Sequence, residues 1–342
     1  MVGNILSVAL WVAATDFRTF LASRVVGGLS EGNVQLANAI ATDISDESHR
    51  GATMALVGAC FSIAFTCGPA LGAALSNITT VAANPFATSA GVSLLLIVLE
   101  TAYLYFYLPE THPRLTKLRH ETNANAPAAK NENNKQQKQK EDVTKHEHKH
   151  EHTNNPALLN VLHFLFLLPF SGLEFSLPFL TATFYANTST KASPSALNGR
   201  LLSMMGLIAS LLQGTVVRRL PPLITLRAGV VACTISFFLL AKVSSLAGLY
   251  GAGGLLAITS ATVVTSLNSL GSFEAREGER GVVLGRLRSW GQAGRAAGPL
   301  LFCSLFWFAG REIAYTTGGF AMVVVCVGVF TTLKAPVIAA RK

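Results

Sequence analysis

Apolar runs long enough to cross a lipid bilayer recur from one end of this chain to the other, and nothing else in the sequence constrains its fold as strongly. A membrane-spanning helix needs about 20 mostly apolar residues. Approximate spans fall at Val2–Ala14, Phe20–Ala41, Ala52–Leu75, Ser89–Leu108, Ala157–Tyr185, Leu197–Val217, Leu223–Lys242, Leu246–Leu270, Val282–Ala309 and Ile313–Leu333. They are read as helices, because a helix satisfies its own backbone in hydrocarbon. The first span is short. It begins at Met1 with no basic flank and no cleavage site, so it is not a signal peptide. It reads as a helix whose beginning is missing.

Composition supports the membrane reading. Only 13% of the 342 residues are charged, and Pro109–Pro156 alone holds 16 of those 45. An ordinary soluble domain carries about 25% charge. A water-soluble globule, a disordered chain and a disulfide-stapled domain are all excluded. Cys60, Cys67, Cys233, Cys303 and Cys326 lie in apolar stretches without metal-ligand spacing, so they read as packing residues and no metal is expected. The net charge of +9 sits in short loops rather than on one folded face, so no nucleic-acid partner is expected.

Those loops set the orientation. One side collects 20 Lys and Arg residues, including Arg50, Arg218, Arg219, Arg276, Arg280, Arg286 and Lys342; the other side has five. The richer side is expected to be cytoplasmic, and the C-terminus with it. The sequons at Asn77 and Asn187 fall in loops on the opposite side. Pro109–Pro156, rich in Asn, Lys, Gln, Glu and His, reads as a disordered cytoplasmic linker. Its alternating His146, His148, His150 and His152 read as part of that solvated linker.

The chain carries an internal repeat. Arg50-Gly51 precedes Gly68-Pro69 as Arg280-Gly281 precedes Gly298-Pro299, with 18 residues from arginine to glycine in both. Both copies run outward from a basic loop, so they are parallel, as in transporters built from two six-helix halves. The expected fold is an all-α multi-pass membrane protein of two pseudo-symmetric halves. Residues 1–108 form the N-terminal half, 109–156 the linker and 157–342 a C-terminal six-helix half.

Several polar groups lie where lipid does not accept them; a charge at the bilayer centre costs at least about 2.5 kcal/mol. Arg24, Gly28, Glu31, Gln35, Asn38 and Thr42 repeat at steps of four and three, which puts them on one face of one helix. Glu174 lies between Pro169 and Pro178, where the helix is loosened, and is a candidate for proton exchange. His163, on nearly the same face, reads as a structural hydrogen-bonder. Arg288, Gln292 and Arg295 form a second stripe, suited to an anionic substrate or to a carboxylate; Glu174 and Glu31 are both candidate partners for Arg295. Glu100 reads as an interhelical contact.

The chain has no P-loop, no Ser-His-Asp grouping and no H-E-x-x-H pattern, so neither an ATP-driven pump nor an enzyme is expected. Arg24-Val25-Val26-Gly27-Gly28 resembles the fourth-helix motif of the major facilitator superfamily. Ala64 through Ala73, containing Gly68-Pro69 and Gly72, resembles its fifth-helix antiporter motif, with alanine replacing glycine at 64 and 73. Leu108-Pro109-Glu110-Thr111 matches the usual end of its sixth helix. Gly27 through Val34, Gln213-Gly214 with Arg218-Arg219, and Gly285 through Leu300 resemble the tetracycline transporter-like branch.

The resemblance implies twelve helices, about ten of them here, running from the third to the twelfth. It implies secondary active transport of drug-like molecules or organic anions by alternating access, as proton-coupled efflux through an antiporter. The protein is expected to be a monomer in the plasma membrane or an endomembrane such as the vacuolar one. Its partners would be a small-molecule substrate, lipid and protons, with no cofactor. Arg24, Glu31, Gln35, Asn38, Glu174, Gln213, Gln292 and Arg295 would line or couple the path, with Glu174 and Glu31 as the candidates for proton exchange. Gly27, Gly28, Gly68, Pro69, Gly72, Gly298 and Pro299 would let helices pack and bend. The competing reading is a non-transporting membrane scaffold or an inactive truncated transporter fragment.

Overall fold

Prolines at Pro156, Pro194 and Pro222 each open a helix, the one place where a missing N–H removes no helical bond. The order in this computed structural model is α1 (Val2–Val12), α2 (Phe17–Ser30), α3 (Asn33–Asp43), α4 (Arg50–Ser76) and α5 (Ala87–Tyr107). Then come α6 (Pro156–Ala186), α7 (Pro194–Leu212) with a π-helical turn at Gln213–Val217, α8 (Pro222–Lys242), α9 (Leu246–Phe273), α10 (Arg280–Ala309) and α11 (Arg311–Thr332). The structure describes residues 1–30, 32–45, 49–76, 78, 84, 86–108, 153–186, 194–276 and 279–336, with no strand among them. The two sequons, the four-histidine run and most of the linker lie outside the described residues.

Local chemistry fixes the helix ends. Asp16 Oδ1 accepts the Thr19 N–H at 2.9 Å and starts α2. Ser245 accepts the Gly248 N–H at 3.1 Å and starts α9. Between α10 and α11 the chain turns at Gly310 with φ 86°, a left-handed conformation that favours glycine.

Among the described residues, seven helices are individually long and apolar enough to cross a membrane: α4, α5, α6, α7 with its π turn, α8, α9 and α11. Ten spans were expected. The α10 helix has 30 residues but carries four arginines, and α1 is an apolar helix of 11 residues. The third difference is a correction. Phe20–Ala41 is not one helix, because α2 ends at Ser30 and α3 begins at Asn33. Gly27, Gly28 and Gly32 depress helix propensity across this stretch, by about 1 kcal/mol each relative to alanine.

The core lies among α6, α8, α9, α10 and α11. Tyr315 and Phe237 are fully buried beside Phe302 and Phe306, and the Tyr315 hydroxyl meets Ser176 Oγ at 2.7 Å. Asn154 ties three chain ends of this half together. Its backbone N–H and its amide both donate to Glu274 Oε1, at 2.8 and 3.1 Å, just past α9. Its amide also donates to the Lys334 carbonyl at 3.0 Å and accepts the Lys334 N–H at 2.8 Å, just past α11. Residues 153–155, expected in the linker, therefore belong to the folded half. The N-terminal helices meet it where α4 packs on α7 and α9, and where α3 meets α10.

Candidate functional site

The two repeat copies occupy equivalent places. Arg50-Gly51 opens α4 and Arg280-Gly281 opens α10, and each Gly-Pro pair lies within its helix. What α10 does with its copy defines the site.

Gly291, Gly294 and Gly298 line one face of α10 and press on α6. A Cβ at Gly291 would lie 2.5 Å from the His163 ring, and one at Gly294 would lie 2.5 Å from the Phe164 carbonyl oxygen. A Cβ at Gly298 would run into the Leu168 carbonyl and the Ser171 hydroxyl. Gly172 answers from α6, its Cβ position blocked by Phe302 and, at 3.0 Å, by the Gly298 carbonyl. Small residues let membrane helices approach this closely. Sequence reasoning singled out only Gly298 from this set; the spacing 291, 294, 298 was the available signal. His163 is buried on the same seam, its Nδ1 2.9 Å from the Leu287 carbonyl oxygen, as a structural hydrogen-bonder would be.

Close approach brings the charges together. Arg295 of α10 donates from Nη2 to Glu174 Oε2 of α6 at 2.7 Å. Of its two candidate partners, the described structure pairs Arg295 with Glu174; Glu31 lies outside the described residues. The pair is neither sealed nor free: the Arg295 side chain is 44% exposed and that of Glu174 23%. One of the five guanidinium N–H donors serves this bond. Gln292 is exposed one turn earlier on the same helix.

Prolines act on both charged residues. Pro178 and Pro299 lack an N–H, so neither bonds the carbonyl four residues before it. Those carbonyls are Glu174's and Arg295's. Each helix is therefore loosened at the residue that carries its charge.

The other expected path residues lie elsewhere. Gln213 is buried in the first position of the π turn. It accepts from Ser62 Oγ of α4 at 2.7 Å and donates to the Ala261 carbonyl and Thr265 Oγ1 of α9, at 3.1 and 3.3 Å. It is a hub across the seam between the halves. Gly58 makes room for it, since a Cβ there would lie 2.6 Å from Gln213 Nε2. Arg24 stacks on Trp11 of α1, 4.6 Å from the ring centroid, and on Phe20 at 5.4 Å.

The non-helical Gly32 means that Arg24 and Gly28 do not share a helix with Gln35, Asn38 and Thr42, so the expected single stripe does not form. Asn38 and Thr42 are buried on α3, and the Gln35 side chain lies outside the described residues. Gly27 faces Ser7 of α1, whereas Gly28 and Gly68 have open space beside them. The surroundings of Pro69 and Gly72 lie outside the described residues. Glu100 is exposed on α5, not packed between helices.

Sequence reasoning also missed a contact between α3 and α10. Arg280, the first residue of α10, donates from Nη1 to Asp43 Oδ1 at 2.9 Å and to the Thr42 carbonyl at 3.1 Å, at the end of α3. Both side chains are largely buried. The basic loop was counted only for topology, and no spacing rule links residues so far apart.

Comparison with known proteins agrees with this architecture. Residues 1–299 match the family model for the Major Facilitator Superfamily. The mouse major facilitator superfamily domain-containing protein 10 is 33% identical over 328 residues, spanning 92% of this chain and 67% of that protein. Its human counterpart is 31% identical over 329 residues, spanning 93% and 68%. Among solved structures, the human organic anion transporter MFSD10 (TETRAN) superposes with a TM-score of 0.73 at 29% identity, covering 96% of this chain and 75% of that one. The proton:xylose symporter XylE superposes at 0.69 with 13% identity, covering 97% and 80%, a likeness of fold alone. The chain belongs to the major facilitator superfamily, in its tetracycline transporter-like branch.

Proposed function

We propose that this protein is a secondary active transporter of small organic anions, working by alternating access and coupled to protons. The observation that carries this reading is the half-exposed Glu174–Arg295 pair. A guanidinium inside a membrane protein needs an anionic partner. Here the partner is a carboxylate, and an organic anion offers the same chemistry. A substrate carboxylate or sulfonate takes Arg295 only when Glu174 releases it, and a proton on Glu174 removes the competition. Anion and proton then occupy the site together, so this reading is symport and departs from the antiport that the resemblance implies. Net movement follows the sum of both gradients, and efflux is the direction when the anion is concentrated inside. The described human structure, named as that of an organic anion transporter, supports the substrate class.

The Asp43–Arg280 bond closes the seam between α3 and α10 on the side that the excess of Lys and Arg makes cytoplasmic. In this reading it is broken whenever the path opens to the cytoplasm. The halves divide at the linker, and the protein works as a monomer in the plasma membrane or an endomembrane.

The test is uptake of fluorescein, an aromatic organic anion, into liposomes containing the purified protein, with and without a pH gradient. Wild type accumulates it against its own gradient when the pH gradient drives it. Glu174→Gln keeps downhill movement and loses the response to pH. Arg295→Gln loses uptake while inserting normally. Deleting Lys117–His152 leaves transport in place. Uptake by wild type that ignores the pH gradient refutes the coupling, and Arg295→Gln with wild-type uptake refutes the anion site. No fluorescein transport by correctly inserted wild type favours the scaffold reading.

A further inference from the structure

Pro299 leaves the Arg295 carbonyl without a donor inside α10, and that carbonyl faces the tightest part of the α6–α10 crossing. An unpaired carbonyl in such a place is costly. Ser171 of α6 is fully buried, and its Oγ lies 3.3 Å from the Arg295 carbonyl oxygen. The same hydroxyl lies 3.4 Å from the Leu168 carbonyl in its own helix. That second acceptor is reached by the Gly172 N–H in the regular helical ladder. Arg295's carbonyl has no such alternative, so the hydroxyl matters there. Gly298 permits the contact, because a Cβ at that position would collide with Ser171 Oγ.

We propose that Ser171 is a positioning residue for Arg295, replacing the N–H that Pro299 lacks and fixing the α10 backbone where the guanidinium leaves it. The role rests on the reading of Arg295 as the anion site. Ser171 touches neither substrate nor proton. It holds the bend in α10 at one setting, so that Arg295 reaches Glu174 or an anion in its place. Without it the backbone at Arg295 is free to shift, and binding suffers before turnover does.

The experiment is a double-mutant cycle of Ser171→Ala and Pro299→Ala, read as KM and kcat for fluorescein uptake in liposomes and as thermal stability of the purified protein. Alanine at 299 restores the helical N–H, so the Arg295 carbonyl no longer needs the hydroxyl. In the wild-type background Ser171→Ala is expected to raise KM about tenfold with kcat nearly unchanged, the loss of one buried hydrogen bond. In the Pro299→Ala background the same change is expected to move KM less than about twofold. A packing role would lower stability equally in both backgrounds and leave KM alone. Equal effects of Ser171→Ala on KM in both backgrounds, or none in either, overturn the proposal. Failure of the underlying anion reading looks different: Arg295→Gln then transports with an unchanged KM.

Discussion

Gly294→Ala adds one methyl group at the α6–α10 crossing, and its effect follows from the geometry. The new Cβ lies 2.5 Å from the Phe164 carbonyl oxygen and 3.2 Å from the Leu168 nitrogen. Both are backbone atoms of α6, so no rotamer change relieves the contact. The helices must part by about 1 Å to restore ordinary van der Waals separation. Overpacking costs about 1–3 kcal/mol, and a backbone contact belongs at the upper end. Alanine returns about 1 kcal/mol of helix propensity over glycine, which leaves a net loss of about 2 kcal/mol.

Gly285→Ala is the matched control on the same helix. Nothing lies within 4 Å of its Cβ position, so only the propensity gain remains. At roughly 2 °C per kcal/mol for a chain of this size, Gly294→Ala should melt about 4 °C below wild type and Gly285→Ala about 2 °C above it. Tryptophan-fluorescence melts of the purified protein in detergent measure both. If the two variants shift in the same direction, the glycine face does not set the α6–α10 distance and the reasoning fails.

Gln213→Leu strips the seam hub and leaves Ser62 without its acceptor, so it should destabilise the protein by about 1–3 kcal/mol in the same melts; an unchanged melting point would mean the hub carries no net energy. Asp43→Asn should loosen the seam between α3 and α10. An Ala55→Cys probe, buried against α7 and α9, should then react several-fold faster with a membrane-impermeant maleimide in a background cleared of native cysteines, and an unchanged rate contradicts the latch. Tyr315→Phe removes the hydroxyl that pairs with Ser176 and should cost about 1 kcal/mol without altering fluorescein KM, as expected of a residue that only holds the core.

The spans were legible because burial in lipid writes a long apolar run into the sequence, and α6, α8, α9 and α11 follow those runs closely. The stripe from Arg24 to Thr42 was misread because periodicity presumes an unbroken helix, and the glycines at 27, 28 and 32 signal the break more faintly than the polar residues signal a face. The charges at Glu174 and Arg295 could be singled out, since lipid makes any lone charge conspicuous, but their pairing depends on the crossing of α6 and α10. That crossing was itself readable in Gly291, Gly294 and Gly298, had small residues been weighed as contacts between helices and not only as hinges. Gln213 drew notice as a polar residue in a span, yet its use as a bridge depends on Ser62, 151 positions away. The partnership of Asp43 and Arg280 likewise exists only once the two halves have met.

The asparagine at 154 has a consequence for how this protein tolerates being cut. It joins the start of α6 to the ends of α9 and α11, so the second half is fastened at its own first residues. Severing the chain between Leu108 and Thr153 would leave two polypeptides that, among the described residues, still meet where α4 packs on α7 and α9 and where α3 meets α9 and α10. Supplied as separate genes, the two pieces should find each other in the membrane and co-purify, with Asn154→Ala weakening the second piece before it weakens their reunion.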